Sequence, residues 1–282
     1  MNRYDYYKPR SLDEALEFQQ QIPGALFIAG GTDMMVKIKD GELHPPALIS
    51  LRSIPELIGV TEGDVTRIGA MTTISELIEH PLLHQSYPVL VEAAGRLGGP
   101  QIRNVATIGG NLCNCSPCAD TATPLLVLDA KVRISGKRGN REIPIDEFFK
   151  GPGESCLASG EILTDILLDH PRKDARATFL KKGRVRMDLA VASVAVLLEM
   201  DGNRCSRARL AAGSVAPIPL RLSKVEALLE GNAISKEILD QAQRIAAEIV
   251  SPITDIRATE EYRRQIVGVY VRRAIERLTR DT

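Results

Sequence analysis

The chain has 282 residues, 44% of them hydrophobic, which is enough apolar material to bury a sizeable core over two or three domains. Lysine plus arginine and aspartate plus glutamate both number 36, so the net charge is zero and nothing favours nucleic acid as a partner. The apolar runs at 189–191 and 194–198 fall far short of the roughly 20 residues of a membrane span, the start MNRYDYYKPRS has no signal-peptide core, and five cysteines with three crowded together do not match a secreted disulfide framework; a cytoplasmic globular protein is expected.

Taken in chain order, Ser11 and Glu14 stand at capping-box spacing and open a short helix over Leu12, Ala15, Leu16 and Phe18. A strand at 26–28 enters a glycine turn, then a helix at 34–39 and a strand at 47–51 complete a small alternating unit. From 57 the pattern changes to a strand pair, 57–61 and 66–70, joined by Glu62-Gly63-Asp64. Thr73 and Glu76 repeat the capping box, and a helix at 88–97 lines up Val89, Leu90, Ala93, Ala94 and Leu97 on one face before Gly98-Gly99-Pro100 stops it. A second glycine segment, TIGGNLCNCSPCAD at 107–120, leads into a buried helix at 124–128 and strands at 131–135 and 161–168.

The polar segment 170–176 reads as a linker. Beyond it, strands at 178–182, 189–199 and 207–215 are predicted, the last two joined by Asp201-Gly202-Asn203 as an antiparallel hairpin. Helices at 221–230, 235–250 and 259–280 finish the chain, the middle one capped by Ser235 and striped by Ile238, Leu239, Ala242, Ile245, Ala246 and Ile249. The expectation is an α+β fold in three units, 1–56, 57–172 and 173–282, the last a three-stranded antiparallel sheet covered by helices. The arginines of the final helix, Arg263, Arg264, Arg272, Arg273, Arg277 and Arg280, read as its wet face or a partner-facing surface.

The two glycine pairs carry the chemistry. Gly30-Gly31, after the strand ending at Ile28, offers successive backbone N–H groups as a nest for an anion. Gly109-Gly110 lets the backbone approach a bulky ligand and take angles closed to other residues, with Asn111, Ser116 and Asp120 supplying polar groups nearby. Two such segments in one domain suggest two ends of one long ligand. Neither matches GxGxxG or GxxxxGK[ST], so a Rossmann or P-loop site is not supported, and either pair alone is equally the chemistry of an ordinary turn.

AGGTD at 29–33 and TIGGN at 107–111, together with FLKKGRVRMDLAVASVAV at 179–196 and AAGSVAPIPLR at 211–221, make the chain resemble the FAD-binding subunit of the molybdenum hydroxylases, across nearly its whole length. That family includes the medium subunit of aerobic carbon monoxide dehydrogenase and the flavin domain of xanthine dehydrogenase. The resemblance implies a two-lobed FAD-binding domain of the PCMH/vanillyl-alcohol-oxidase-like type. It assigns Ile28, Ala29, Gly30, Gly31, Thr32 and Asp33, with Thr107, Gly109, Gly110 and Asn111, to the pyrophosphate and ribityl portion of FAD. It places Asp120 on FAD hydroxyls, Leu163 against a ring, and Lys181 or its neighbour Lys182 near the flavin; without it, Asp120 would read as a helix cap. It further implies a large molybdopterin-binding subunit and a small [2Fe–2S] subunit as partners, with NAD, a quinone or another carrier as acceptor. A stand-alone flavin oxidoreductase and a flavin-free assembly subunit are the alternatives.

Cys113, Cys115 and Cys118 depart from the family's small or aliphatic residues. C-x-C-x-x-C is a partial ligand set for a [4Fe–4S] cluster, with a fourth donor needed elsewhere, or else three small thiols packed beside the flavin. His80 and His84 have metal-pair spacing, but Pro81 and the lack of an acidic motif favour a helix end and a surface histidine.

Overall fold

The computed structural model describes residues 4–280. The first unit is a three-stranded parallel sheet. Strand β1 (Asp5–Tyr7) precedes helix α1 (Leu12–Gln21), β2 (Leu26–Ile28), α2 (Met34–Lys39) and β3 (Ala47–Ser50), and the strand order is β1-β3-β2. Central β3 is buried at all four residues, as a parallel strand covered on both faces must be. Ser11 caps α1 by accepting the Glu14 N–H, but the Glu14 carboxylate reaches one residue beyond the cap, to the Arg10 N–H at 2.7 Å. Three-residue β1 has no legible period in the sequence.

The second unit is a five-stranded antiparallel sheet with a helical layer. It runs through β4 (Val60–Thr61), β5 (Thr66–Gly69), α3 (Ile74–Glu79), α4 (Pro81–Ser86), α5 (Pro88–Gly95), α6 (Pro100–Arg103), α7 (Ile108–Cys113) and α8 (Ala122–Val127). Then come β6 (Lys131–Gly136), β7 (Gly139–Pro144), the small hairpin β8 (Phe149–Gly151) and β9 (Glu154–Ser155), and β10 (Glu161–Leu168). The order is β4-β5-β10-β6-β7. Thr73 and Glu76 form a complete capping box on α3, and every residue of α8 is buried. Strand β7 escapes sequence reading because it is a polar, largely exposed edge, GNREIP, with no apolar alternation. His80 caps the junction of α3 and α4, and His84 contacts the Ile78 carbonyl, so the helix-end reading holds.

The third unit holds β11 (Ala175–Lys182), β12 (Ala192–Asp201), β13 (Arg204–Gly213) and β14 (Leu220–Arg221) in one antiparallel sheet, followed by α9 (Ser223–Leu229), α10 (Lys236–Ile249) and α11 (Glu260–Thr279). The sheet has four strands rather than three, because two-residue β14 adds to the edge of β13. The β12–β13 hairpin turns at Gly202, whose φ of +56° favours glycine. Ser235 and Thr259 cap α10 and α11 through the N–H groups of Ile238 and Tyr262.

One residue of the final helix departs from the wet-face expectation. Arg263 is buried, donating to the carbonyls of Val191 and Ser214 and pairing with Asp255 at 2.7 Å. A guanidinium with enough fixed acceptors can be buried where a lone charge cannot. Asp129, after α8, ties the second and third units together by accepting from Arg207 at 2.7 Å, Arg209 at 3.0 Å and Arg221 at 2.7 Å. No helix among the described residues is long and apolar enough to cross a membrane.

Candidate functional site

A cavity of about 710 Å³ lies where the first two units face each other. Its lining includes Ile28 through Asp33 from the first glycine turn, Thr107, Gly109, Gly110 and Asn111 from the second segment, and Asp120 and Leu163. Of the fourteen cofactor residues expected from sequence, only Lys181 and Lys182 lie outside this lining. The volume falls within the roughly 300–1,000 Å³ of ordinary ligand sites.

The first turn leaves its donors free. Among the described residues, no acceptor takes the N–H groups of Gly30, Gly31, Thr32 or Asp33; the ladder of α2 begins with Met35 N–H to the Gly31 carbonyl at 3.0 Å. Gly31 sits at φ +76°, a conformation that costs other residues energy and that turns successive amides to one side. Gly30 is required for a different reason: a Cβ there would lie 2.1 Å from the Val105 carbonyl oxygen, so this turn presses directly on the backbone before Thr107.

The second segment behaves otherwise. It is not a loop of unusual backbone angles but the start of a helix, α7, with Thr107 as N-cap, and neither Gly109 nor Gly110 has positive φ. Its amides are spent within the protein: Ile108 on the Thr72 carbonyl, Gly109 on Ala70, Gly110 on the Thr107 hydroxyl and Asn111 on the Thr107 carbonyl. Glycine is needed here for proximity. A Cβ on Gly109 would meet the Ala70 side chain at 2.6 Å, and one on Gly110 would meet the Thr107 hydroxyl at 2.9 Å. Asn111 Oδ1 is taken by the Thr121 hydroxyl at 2.6 Å, so what Asn111 can still give a ligand is its N–H donors.

Asp120 supplies the acceptor. It is buried on the cavity wall, with Oδ2 held by the Lys181 ammonium at 2.6 Å while Oδ1 has no hydrogen-bond partner. Burial pushes its carboxyl up to about 6 even against the opposing pull of Lys181. An orphaned buried carboxylate oxygen is costly unless a donor arrives, and hydroxyl groups of a ligand are suitable donors. The capping alternative fails, since α8 takes Thr121 as its N-cap and has no side-chain cap bond.

Lys181 is therefore tied to Asp120 and to the Arg96 carbonyl at 3.0 Å, rather than standing on the cavity itself. The register question resolves through strand alternation, because Lys181 and Lys182 point to opposite faces of β11 and only Lys181 reaches Asp120. Leu163, 3% exposed, reaches the cavity beside a β-bulge between Leu163 and Asp165, whose intervening Thr164 carbonyl accepts from Ala70 beneath Gly109. Met187, Asp188 and Leu189 also line the cavity. Sequence reading missed them by starting the strand at 189; β12 begins at Ala192, so part of the 179–196 stretch is a loop on the cavity rather than strand.

The cysteine expectation is corrected by geometry. Among the described residues no three His, Cys, Asp or Glu side chains converge to hold a metal ion. Cys115 is buried and donates its thiol hydrogen to the Leu112 carbonyl at 3.3 Å, while Cys113 and Cys118 line the cavity. Burial foremost pushes the Cys113 and Cys115 thiols up to about 12, so both remain neutral thiols. Both pack as small apolar groups against the core of the second unit.

The residues fit FAD in kind. Four unpaired amides suit a pyrophosphate, glycines 109 and 110 leave space where side chains would stand, and Asp120 Oδ1 awaits a hydroxyl.

Residues 2–171 match the family described as the FAD binding domain in molybdopterin dehydrogenase, and residues 177–278 match the CO dehydrogenase flavoprotein C-terminal domain. The xanthine dehydrogenase FAD-binding subunit of Escherichia coli O157:H7 is 33% identical over 274 residues, covering 96% of this chain and 94% of that protein. The carbon monoxide dehydrogenase medium chain of Hydrogenophaga pseudoflava is 33% identical over 275 residues, covering 97% and 96%. Among solved structures, reconstituted CO dehydrogenase from Oligotropha carboxidovorans superposes with a TM-score of 0.96 at 32% identity, covering 100% of this chain and 99% of that one. Quinoline 2-oxidoreductase from Pseudomonas putida 86 gives 0.94 at 25% identity, covering 99% and 98%.

Proposed function

We propose a role that starts from one fact: the chain belongs to the family of FAD-binding subunits of molybdopterin dehydrogenases. It is an oxidoreductase subunit that binds FAD. Within that frame, it acts as the electron-transfer subunit of a hetero-oligomeric hydroxylase. A large molybdopterin-binding subunit oxidises the substrate, a small [2Fe–2S] subunit carries the electrons, and this chain passes them to an external acceptor such as NAD or a quinone. Support for placing the other cofactors on separate chains comes from the relatives, which are named as an FAD-binding subunit and a medium chain and are matched over 94% and 96% of their length.

Bound FAD supplies the exchange between two-electron and one-electron carriers. The protein's own residues supply position and potential. The free amides of Gly30 to Asp33 hold the pyrophosphate, while Gly109 and Gly110 admit the chain of the cofactor past α7. Asn111 donates, Asp120 Oδ1 accepts a hydroxyl hydrogen, and Leu163 covers a ring face. Lys181 holds Asp120 in place and balances its charge.

The single observation that carries this reading is the meeting of four unpaired amides and one orphaned carboxylate oxygen on the same cavity wall system. Its test is to purify the chain, record the visible spectrum and measure flavin and iron per chain. One FAD and no iron is expected. A colourless protein that takes up no FAD on reconstitution would sink the proposal.

A further inference from the structure

A second cavity, of about 490 Å³, lies between the C-terminal end of α5, strand β11 and the last turns of α11, and two of its lining cations are left without a counter-charge. Five cationic side chains line it, Arg96, Lys181, Arg273, Arg277 and Arg280, against two carboxylates, Glu92 and Glu276. Both carboxylates are already engaged. Glu92 accepts from the Phe179 N–H at 3.0 Å and from Arg277 at 3.3 Å, and Glu276 accepts from Arg272 at 2.9 Å and stands 3.9 Å from Arg280, so Arg277 and Arg280 are paired as well. Arg96 and Arg273 have no acidic partner among the described residues, and both stand close enough to the half-buried Tyr270 for their charges to act on its phenol.

Like charges gathered around one concave surface repel unless an anion joins them, and guanidinium forks match phosphate oxygens in geometry as well as charge. The Lys181 side chain is 4% exposed, and its ammonium is fixed by Asp120 and the Arg96 carbonyl, so the floor is a paired ion that leaves the charge of Arg96 and Arg273 above it unopposed. We propose that this cavity binds a phosphate-bearing small molecule, with Arg96 and Arg273 as its principal ligands and Tyr270 as the flat surface available to a nucleotide base. Its floor is the Asp120–Lys181 pair, so occupancy sits one ion pair away from the FAD cavity. The inference does not depend on the FAD reading, because neither arginine lines that cavity.

The test is calorimetric titration of the FAD-loaded full chain with orthophosphate, pyrophosphate and ADP at low ionic strength, alongside the double variant Arg96→Gln/Arg273→Gln. One saturable site per chain is expected, weakened at least tenfold in the double variant while its FAD content and melting temperature stay as in the parent. ADP tighter than pyrophosphate identifies a nucleotide; equal affinities identify the phosphate group alone. No saturable binding by any of the three, or equal affinity in parent and variant, overturns the proposal. Binding of an acidic polypeptide such as polyglutamate in their place also overturns it, in favour of a protein-docking surface. Protein that emerges colourless still answers the question, since the readout is loss of binding on changing Arg96 and Arg273.

Discussion

The two glycine pairs are nearly interchangeable as text and opposite in physics. At Gly30-Gly31 the backbone adopts φ +76° and leaves four amides without acceptors; at Gly109-Gly110 the backbone is helical and every amide from Ile108 to Asn111 is already bonded. The first pair offers charge complementarity, and the second offers absence of bulk. What they share is contact with a neighbouring backbone, since Gly30 presses on Val105 across the first two units and Gly109 presses on Ala70 within the second.

The comparison breaks first at its shared point. Gly30→Ala and Gly109→Ala each drive a methyl into backbone or fixed side-chain atoms, and each should destabilise the chain by about 3 kcal/mol and abolish FAD retention, read by urea denaturation and flavin content. If either alanine variant keeps full stability and flavin, close approach is not what these glycines provide. Lys181→Met should cost about 2 kcal/mol, less than an unrelieved buried charge because Asp120 can take up a proton, and should weaken FAD binding.

Acidity probes the acceptor wall without mutation. Asp120 must be ionised to accept through Oδ1 while held by Lys181, and its carboxyl lies at about 6, so FAD affinity should fall up to about tenfold per pH unit below that point and be flat above it. Asp120→Asn should remove the slope; a fluorescence titration of FAD release between pH 5 and 7 measures it. In flavin-free protein the sign reverses. The folded carboxyl is raised from 3.8, so the native state binds a proton that the unfolded chain lacks, and this group's contribution to stability falls as pH rises through that window. The smallest effect sharpens the contrast: Gly31→Ala should cost about 1 kcal/mol for its left-handed φ, with FAD weakened, whereas Gly110→Ala needs only the Thr107 hydroxyl to give way.

Much of the frame was legible because its signals are local. Ser11, Thr73 and Ser235 cap where the sequence placed them, though only Thr73 completes its box with the paired glutamate, and the long third-unit strands β12 and β13 carry enough apolar residues to be seen. Exposed β7, three-residue β1 and two-residue β14 were not legible, since a strand that gains its stability from a neighbour need show no period of its own. Arg263 was misread for the same kind of reason: its acceptors are the carbonyls of Val191 and Ser214, beside the ends of distant strands, and Asp255, from the loop before α11, none of which a helical wheel contains.

By itself the amino-acid order determined the chain's architecture class, its family and the residues that border one FAD cavity, because motifs and caps depend on neighbours along the chain. Only the tertiary structure decided what each of those residues does there. It showed which amides are free, that Lys181 serves Asp120 rather than the cavity, and that the cysteines pack instead of converging on a metal. Those outcomes depend on burial and on partners 60 or more positions away, such as Asp120 and Lys181, and free energies of pairing and desolvation have no counterpart in local sequence.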